Sequence, residues 1–302
     1  MTMTRLRADL MLLIAALVWG LGFVAQSTAM DSIGPLTFIG LRFLIAAAAI
    51  WPLMHFVENR NSTLAPMSRS DLRLSVLIGL VFFAAAAFQQ WGLVTTTVTN
   101  AGFLTGIYVV IVPFIVWALY RKAPPLVVWP AALMSVAGTF LLSGGGLDSI
   151  GKGDLLVIGG ALFWALHVTL ISLVAVRSRR PLRLATIQFA VCGACGLVLG
   201  IVLENPDISA LTAAMPEILY AALIAGALGF TLQTVGQRDT PAADAAIILS
   251  AEGVFAALFG TWLLSERLDV AGATGAGLIL AAILLVELAP VLRKKRASPA
   301  GT

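Results

Sequence analysis

Apolar stretches of about 20 residues recur along the whole chain, each close to the length an α-helix needs to cross a bilayer core at about 1.5 Å rise per residue. They run over 9 to 29, 35 to 57, 71 to 94, 99 to 119, 125 to 143, 154 to 175, 183 to 203, 215 to 237, 242 to 264 and 268 to 290. None shows the strict alternation of barrel strands. Hydrophobic residues fill 60% of the 302 positions and charged residues only 11%, too few to clothe a surface in contact with water. The expectation is an all-α membrane protein of ten transmembrane helices, with the lipid bilayer as its solvent. The longest gap between spans, 58 to 70, is too short to bury a core of its own.

The net charge of +4 does not point to nucleic acid, because the basic residues follow topology. With the N-terminus inside, sixteen Lys and Arg fall in cytoplasmic segments, and only Lys152 and Arg267 in outer loops. That bias predicts a multi-pass protein of a bacterial-type inner membrane with both termini cytoplasmic. Arg5 and Arg7 before an apolar run imitate a secretory signal, but a matching segment in mid-chain argues that this one is retained. Cys192 and Cys195 form C-x-x-C inside the seventh span with no nearby histidine, which reads as small apolar packing rather than a redox or metal site.

The chain repeats itself. At an offset of 145 residues, DLMLLIAALVWGL from Asp9 lies over DLLVIGGALFWAL from Asp154, superposing Trp19 on Trp164. The same offset sets Thr105 on Ser250, Val109 on Val254 and Trp117 on Trp262. An offset of 146 sets Leu-Arg-Phe at 41 to 43 over Ile-Gln-Phe at 187 to 189, and 144 sets Gln89 on Gln233 and Gly92 on Gly236. The repeats are taken as 1 to 145 and 146 to 302, with the Gly-rich stretch from Ser143 as hinge. Each holds five spans, so the second must enter the membrane from the opposite side. Inverted repeats are a recurring construction of secondary transporters, since two packings of nearly equal energy can open a central site to either side.

These segments resemble the drug/metabolite transporter superfamily, in particular its ten-span EamA-type exporters. The resemblance rests on ALVWGLGFVAQ, on FIGLRFLIAA, and above all on AEGVFAALFGTWLLSERLDVAGATGAGLILAAILL. It covers nearly the whole chain. In the first half, Arg121-Lys122-Ala123-Pro124 replaces the Glu-Arg-Leu of the pattern. The resemblance implies a ten-helix inverted repeat and metabolite export. The family carries amino acids, nucleotides, sugars and drugs, so the substrate does not transfer with the fold.

Polar side chains inside hydrocarbon are costly unless they face a cavity or a partner, which makes them pointers to a pathway. Trp19, Gly22 and Gln26 share a face of the first span, as Trp164 and His167 do in the sixth. Gln89 and Gln90 in the third span, Gln233 in the eighth, and Asn100, Thr105 and Tyr108 in the fourth join the set. Lining a cavity competes with helix packing for the tryptophans, and with interhelical hydrogen bonding for the glutamines. Arg42 is expected to snorkel outward rather than bind a carboxylate, and His167 to make a hydrogen bond rather than relay protons. Glu252, beside Ser250, lies near the membrane centre; a structural hydrogen bond, an ion pair with Arg42, contact with a substrate amine and proton coupling all remain open for it. Glu287 lies near an end of the tenth span. G-x-x-x-G pairs at Gly102 and Gly106 and at Gly196 and Gly200 suggest close packing within the chain, leaving oligomeric state open.

No H-E-x-x-H, no G-x-S-x-G and no carboxylate–histidine cluster supports an intramembrane enzyme, and no ring of identical groups supports a channel. No cofactor or metal is expected. The reading is a carrier of a small-molecule substrate, with neutral or aromatic amino acids first and with protons as a candidate coupling ion. A multidrug or a sugar or nucleotide carrier is the alternative.

Overall fold

The computed structural model describes residues 4–60, 64–96, 98–121, 123–142, 151–263 and 269–297. Most of the Gly-rich hinge, Lys122 and the Ser-Glu-Arg-Leu block lie outside them, as do the side chains of Asn100 and Glu287. The first half contains α1 (Arg5–Ala29), α2 (Pro35–Met54, continued by wide π turns over His55–Asn59), α3 (Arg69–Leu93), α4 (Val98–Gly106 and Tyr108–Tyr120) and α5 (Val128–Leu142). The second contains α6 (Lys152–Ser178), α7 (Pro181–Glu204), α8 (Met215–Leu219, π turns Tyr220–Phe230, Thr231–Gly236), α9 (Ala242–Leu249 and Ala251–Leu263) and α10 (Val270–Ala297). Among the described residues eight of these are long and apolar enough to cross a membrane, and α5 and α10 contribute the shorter apolar stretches Val128–Leu141 and Val270–Val286.

Local chemistry sets the boundaries. Pro35 and Pro181 each occupy the first turn of their helix, where the missing N–H costs nothing and the fixed φ suits entry. α6 ends on Arg179 and α7 on Asn205, both in the left-handed conformation that closes a helix, at φ 54° and 46°. α4 and α9 are each interrupted at nearly repeat-related points, Ile107 and Ser250, so that Tyr108 and Glu252 stand in the first turn of a fresh helical segment.

The halves pack by exchange symmetry. α2 pairs with α7, α5 with α10, and α4 with α9; α3 packs on α6 as α8 packs on α1; α6 touches α4 as α1 touches α9. α2 and α7 run antiparallel, with Gly193, Gly196 and Gly200 of α7 stepping along Leu44, Gly40 and Thr37 of α2. A Cβ on Gly196 would fall 2.7 Å from the Gly40 backbone nitrogen, so this crossing exists only without side chains there. The other pair is used less tightly: Gly106 faces Thr139, but Gly102 meets open space.

Mirrored polar contacts finish both faces. Where α1 starts, Thr240 donates to Asp9 at 2.7 Å, and Arg5 reaches Asp9 at 3.1 Å and Asp244 at 2.7 Å. Where α6 starts, on the opposite face, Thr96 donates to Asp154. Asp154 is the repeat mate of Asp9, and Thr96 that of Thr240.

Candidate functional site

A cavity lies between the halves, walled by α1, α2, α3 and α4 from the first and α6, α8 and α9 from the second. Two apolar plugs bound it, built from the same repeat positions. Towards the face where α1 starts, Leu12, Val168, Ala246 and Leu249 belong to one buried cluster. Towards the other face, their mates Val157, Phe23, Ala101 and Leu104 belong to a second. One position breaks the match: Leu93 joins the second plug, whereas its counterpart Gln237 is buried and donates to the Val168 carbonyl at 2.8 Å and to Ser172 Oγ at 2.9 Å. The space open to the centre of a water molecule is only about 50 Å³. That suits a few waters at about 10–15 Å³ each, so an organic solute enters only if the walls move.

Trp19, Gln26, Gln89, Tyr108, Trp164, Gln233 and Glu252 all line this cavity, as Thr105 does. Both indoles are anchored. Trp19 Nε1 donates to the Ala225 carbonyl at 3.0 Å and Trp164 Nε1 to Gln89 Oε1 at 2.7 Å. The Trp19 ring has room because residue 229 is glycine; a Cβ there would come within 2.6 Å of its Nε1. His167 and Ser250 lie outside the wall. His167 is fully buried, with Nε2 2.8 Å from Gln188 Oε1 and its ring stacked on Phe82 at 4.6 Å. Ser250 donates to the Ile247 carbonyl at 2.6 Å and faces Ser135 Oγ at 3.4 Å, so it helps form the α9 break.

Arg42 does not snorkel. It is 6% exposed and turned into the cavity wall, its guanidinium over the rings of Phe38 and Phe43 at 4.9 and 4.5 Å, with Nη1 donating to Gln26 Oε1 at 2.8 Å. A planar cation on aromatic faces recovers part of its lost solvation, which offsets the cost of turning inward. Arg42 and Glu252 line the same cavity without forming an ion pair. Glu252 itself has no hydrogen-bond or ion-pair partner among the described residues and is also 6% exposed.

Phe43, which the sequence offers only as part of a repeat match, and Phe230, which it does not mark at all, shape the site. Phe230 fills the gap between the tryptophans, 4.5 Å from Trp19 and stacked at 5.9 Å on Trp164. An apolar residue in an apolar run carries no local signal, and its repeat mate in α3, Ala86, adds none. Cys192 and Cys195 are free thiols, the former buried in the α2–α7 core.

The comparisons with known proteins agree with this architecture. An uncharacterized transporter of Archaeoglobus fulgidus is 34% identical over 285 residues, covering 94% of this chain and 87% of the relative. The uncharacterized transporter YwfM of Bacillus subtilis is 28% identical, covering 97% of both chains. A solved crystal structure matches with a TM-score of 0.75 at 18% identity, over 98% of this chain and 100% of that one, and so shares the fold. The sequence model of the EamA-like transporter family matches twice, over residues 6–144 and 151–288, and the chain belongs to that family.

Proposed function

We propose that this transporter exports neutral or aromatic amino acids by alternating access, its repeats (1–145 and 146–302) rocking about the central cavity. The observation that carries the reading is Glu252, a carboxylate without a partner among the described residues, in a cavity walled by Trp19, Trp164 and Phe230. Aromatic walls favour a flat apolar side chain and a desolvated carboxylate favours an ammonium, so an amino acid satisfies both. The apolar plugs related by the repeat support alternation, since loosening either one would open the cavity to one side only. The asymmetry of basic residues favours a bacterial-type inner membrane with both termini cytoplasmic.

Counterflow in proteoliposomes tests the reading. Vesicles preloaded with unlabelled phenylalanine should accumulate labelled phenylalanine transiently, and wild type without counterflow for any neutral or aromatic amino acid would rule the reading out. Cysteines at Thr4 and Lys152 should label from opposite sides of the membrane, Thr4 from the cytoplasm. Labelling of both from one side would refute the inversion.

A further inference from the structure

Arg42 is the cation lining the cavity, and no acidic group among the described residues neutralises it. What holds it is a neutral amide. Gln26 presents Oε1 to the guanidinium while its own Nε2 donates to the Gly22 carbonyl at 3.2 Å, and Gln90 Nε2 ties down the Gln26 carbonyl at 3.0 Å. The amide therefore orients Arg42 and leaves its full charge in place. Arg42 Nε, a buried donor, has no acceptor among the described residues. A buried cation on a cavity wall with an unmatched donor favours an anionic group beside it.

The repeat shows that the charge is not demanded by the fold. The position equivalent to Arg42 in α7 is Gln188, which spends its amide oxygen on His167. The helix pair α2–α7 thus packs with a cation on one side and a neutral group on the other. One half alone carries the charge.

The two cavity charges stand apart along the membrane normal. Gly20 abuts Phe255 and Ala256, which sets Glu252 about one turn nearer the start of α1, whereas Gln26 lies nearly two turns further from it. At about 1.5 Å per residue these backbone levels differ by about 14 Å, so an α-amino acid, whose ammonium and carboxylate share one carbon, engages the two groups one at a time. We infer that Arg42, oriented by Gln26, is a carboxylate-binding subsite distinct from the amine site at Glu252. The solute's identity as an amino acid rests on the function proposed above; the existence of the anion subsite does not.

Ligand-dependent thermal stabilisation of the purified transporter separates the two subsites. The probes are 3-phenylpropanoate, which has a carboxylate and no amine, and phenethylamine, which has the reverse. Wild type should respond to both. Arg42→Met should need roughly tenfold more 3-phenylpropanoate for half the shift, and the phenethylamine response should stay. Glu252→Gln should show the opposite pattern. Should Arg42→Met not fold, Gln26→Glu tests the same point, because an internal carboxylate on Arg42 should stabilise the fold and abolish the 3-phenylpropanoate response. Unaltered 3-phenylpropanoate binding in Arg42→Met or Gln26→Glu overturns the subsite, as does its absence in wild type. Failure of amino-acid counterflow with Arg42-dependent 3-phenylpropanoate binding intact would sink the proposed solute alone.

Discussion

Glu58 and Glu204 perform the same task at opposite faces of the membrane. Glu58, at the end of the α2 span, accepts from the backbone N–H groups of Leu182 and Arg183 at 2.7 and 3.1 Å, capping α7. Glu204, at the end of α7, accepts from Leu36 and Thr37 at 2.8 Å each, capping α2. Each carboxylate meets free N–H donors and the positive end of a helix dipole. Replacing either by Ala should cost about 1 kcal/mol, the usual worth of such a cap, and lower the melting temperature by roughly 2–4 °C. The two losses should be alike. Differential scanning fluorimetry in detergent checks this, and a neutral substitution at either site would contradict the capping role.

The seals at the two faces should respond separately. Asp9 holds Thr240 and Arg5 where α1 begins, and Asp154 holds Thr96 where α6 begins. Asp9→Ala should raise the labelling rate of a cysteine placed at Leu12 from the side bearing the N-terminus. Asp154→Ala should do the same for a cysteine at Val157 from the other side. Arg5 also reaches Asp244, an ion pair that belongs to this face alone, since the repeat-equivalent positions are Ile150 and Thr99 or Asn100. Equal effects of either substitution on both reporters would show that the faces do not open independently.

Phe230 occupies the space between Trp19 and Trp164, so Phe230→Ala should enlarge the cavity and widen the range of accepted side chains, at a cost in stability of about 3–5 kcal/mol. Trp164→Ala should weaken aromatic substrates by roughly tenfold, since stacking is lost and Gln89 Oε1 is left without its donor. Competition counterflow across phenylalanine, tryptophan and alanine reads both effects. An unchanged rank order in both variants would place the solute elsewhere.

Much of the architecture was legible because membrane helices announce themselves by length and apolarity, and because the repeat survives as Trp19 over Trp164 and Asp9 over Asp154. The polar wall of the cavity was legible for the same reason: a glutamine or glutamate in hydrocarbon stands out against its neighbours. Phe230 was not, since an aromatic among aliphatics is indistinguishable from packing until its partners are known. Arg42 was misjudged in direction. Its sequence position fixes depth, but whether the side chain turns outward or inward depends on Phe38, Phe43 and Gln26 offering a dry, oriented bed. The caps at Glu58 and Glu204 escaped notice although they obey the 146-residue offset, because each acts on a helix of the other half.

Glu252 gives the sharpest prediction. It sits in the first turn of the Ala251–Leu263 segment, just after the break at Ser250, at the helix end whose dipole favours negative charge. That placement moderates the cost of a carboxylate in hydrocarbon, about 2.5–3.5 kcal/mol on insertion scales, but supplies no countercharge. Arg42 does not supply one either, since the two form no ion pair. A purely structural acid would be bonded to a neighbouring helix; Glu252 has no such bond among the described residues. Glu252→Gln removes the charge and keeps the volume, so the variant should fold with unchanged or slightly raised thermal stability, because a desolvated charge is gone. Counterflow of a neutral amino acid should fall at least about tenfold, the scale of one lost charged contact. Glu252→Asp, which retains the charge on a shorter stem, should recover part of the flux. Equal flux for wild type and Glu252→Gln at every pH between 5 and 8, the usual range of assay, would leave the carboxylate without a role in transport.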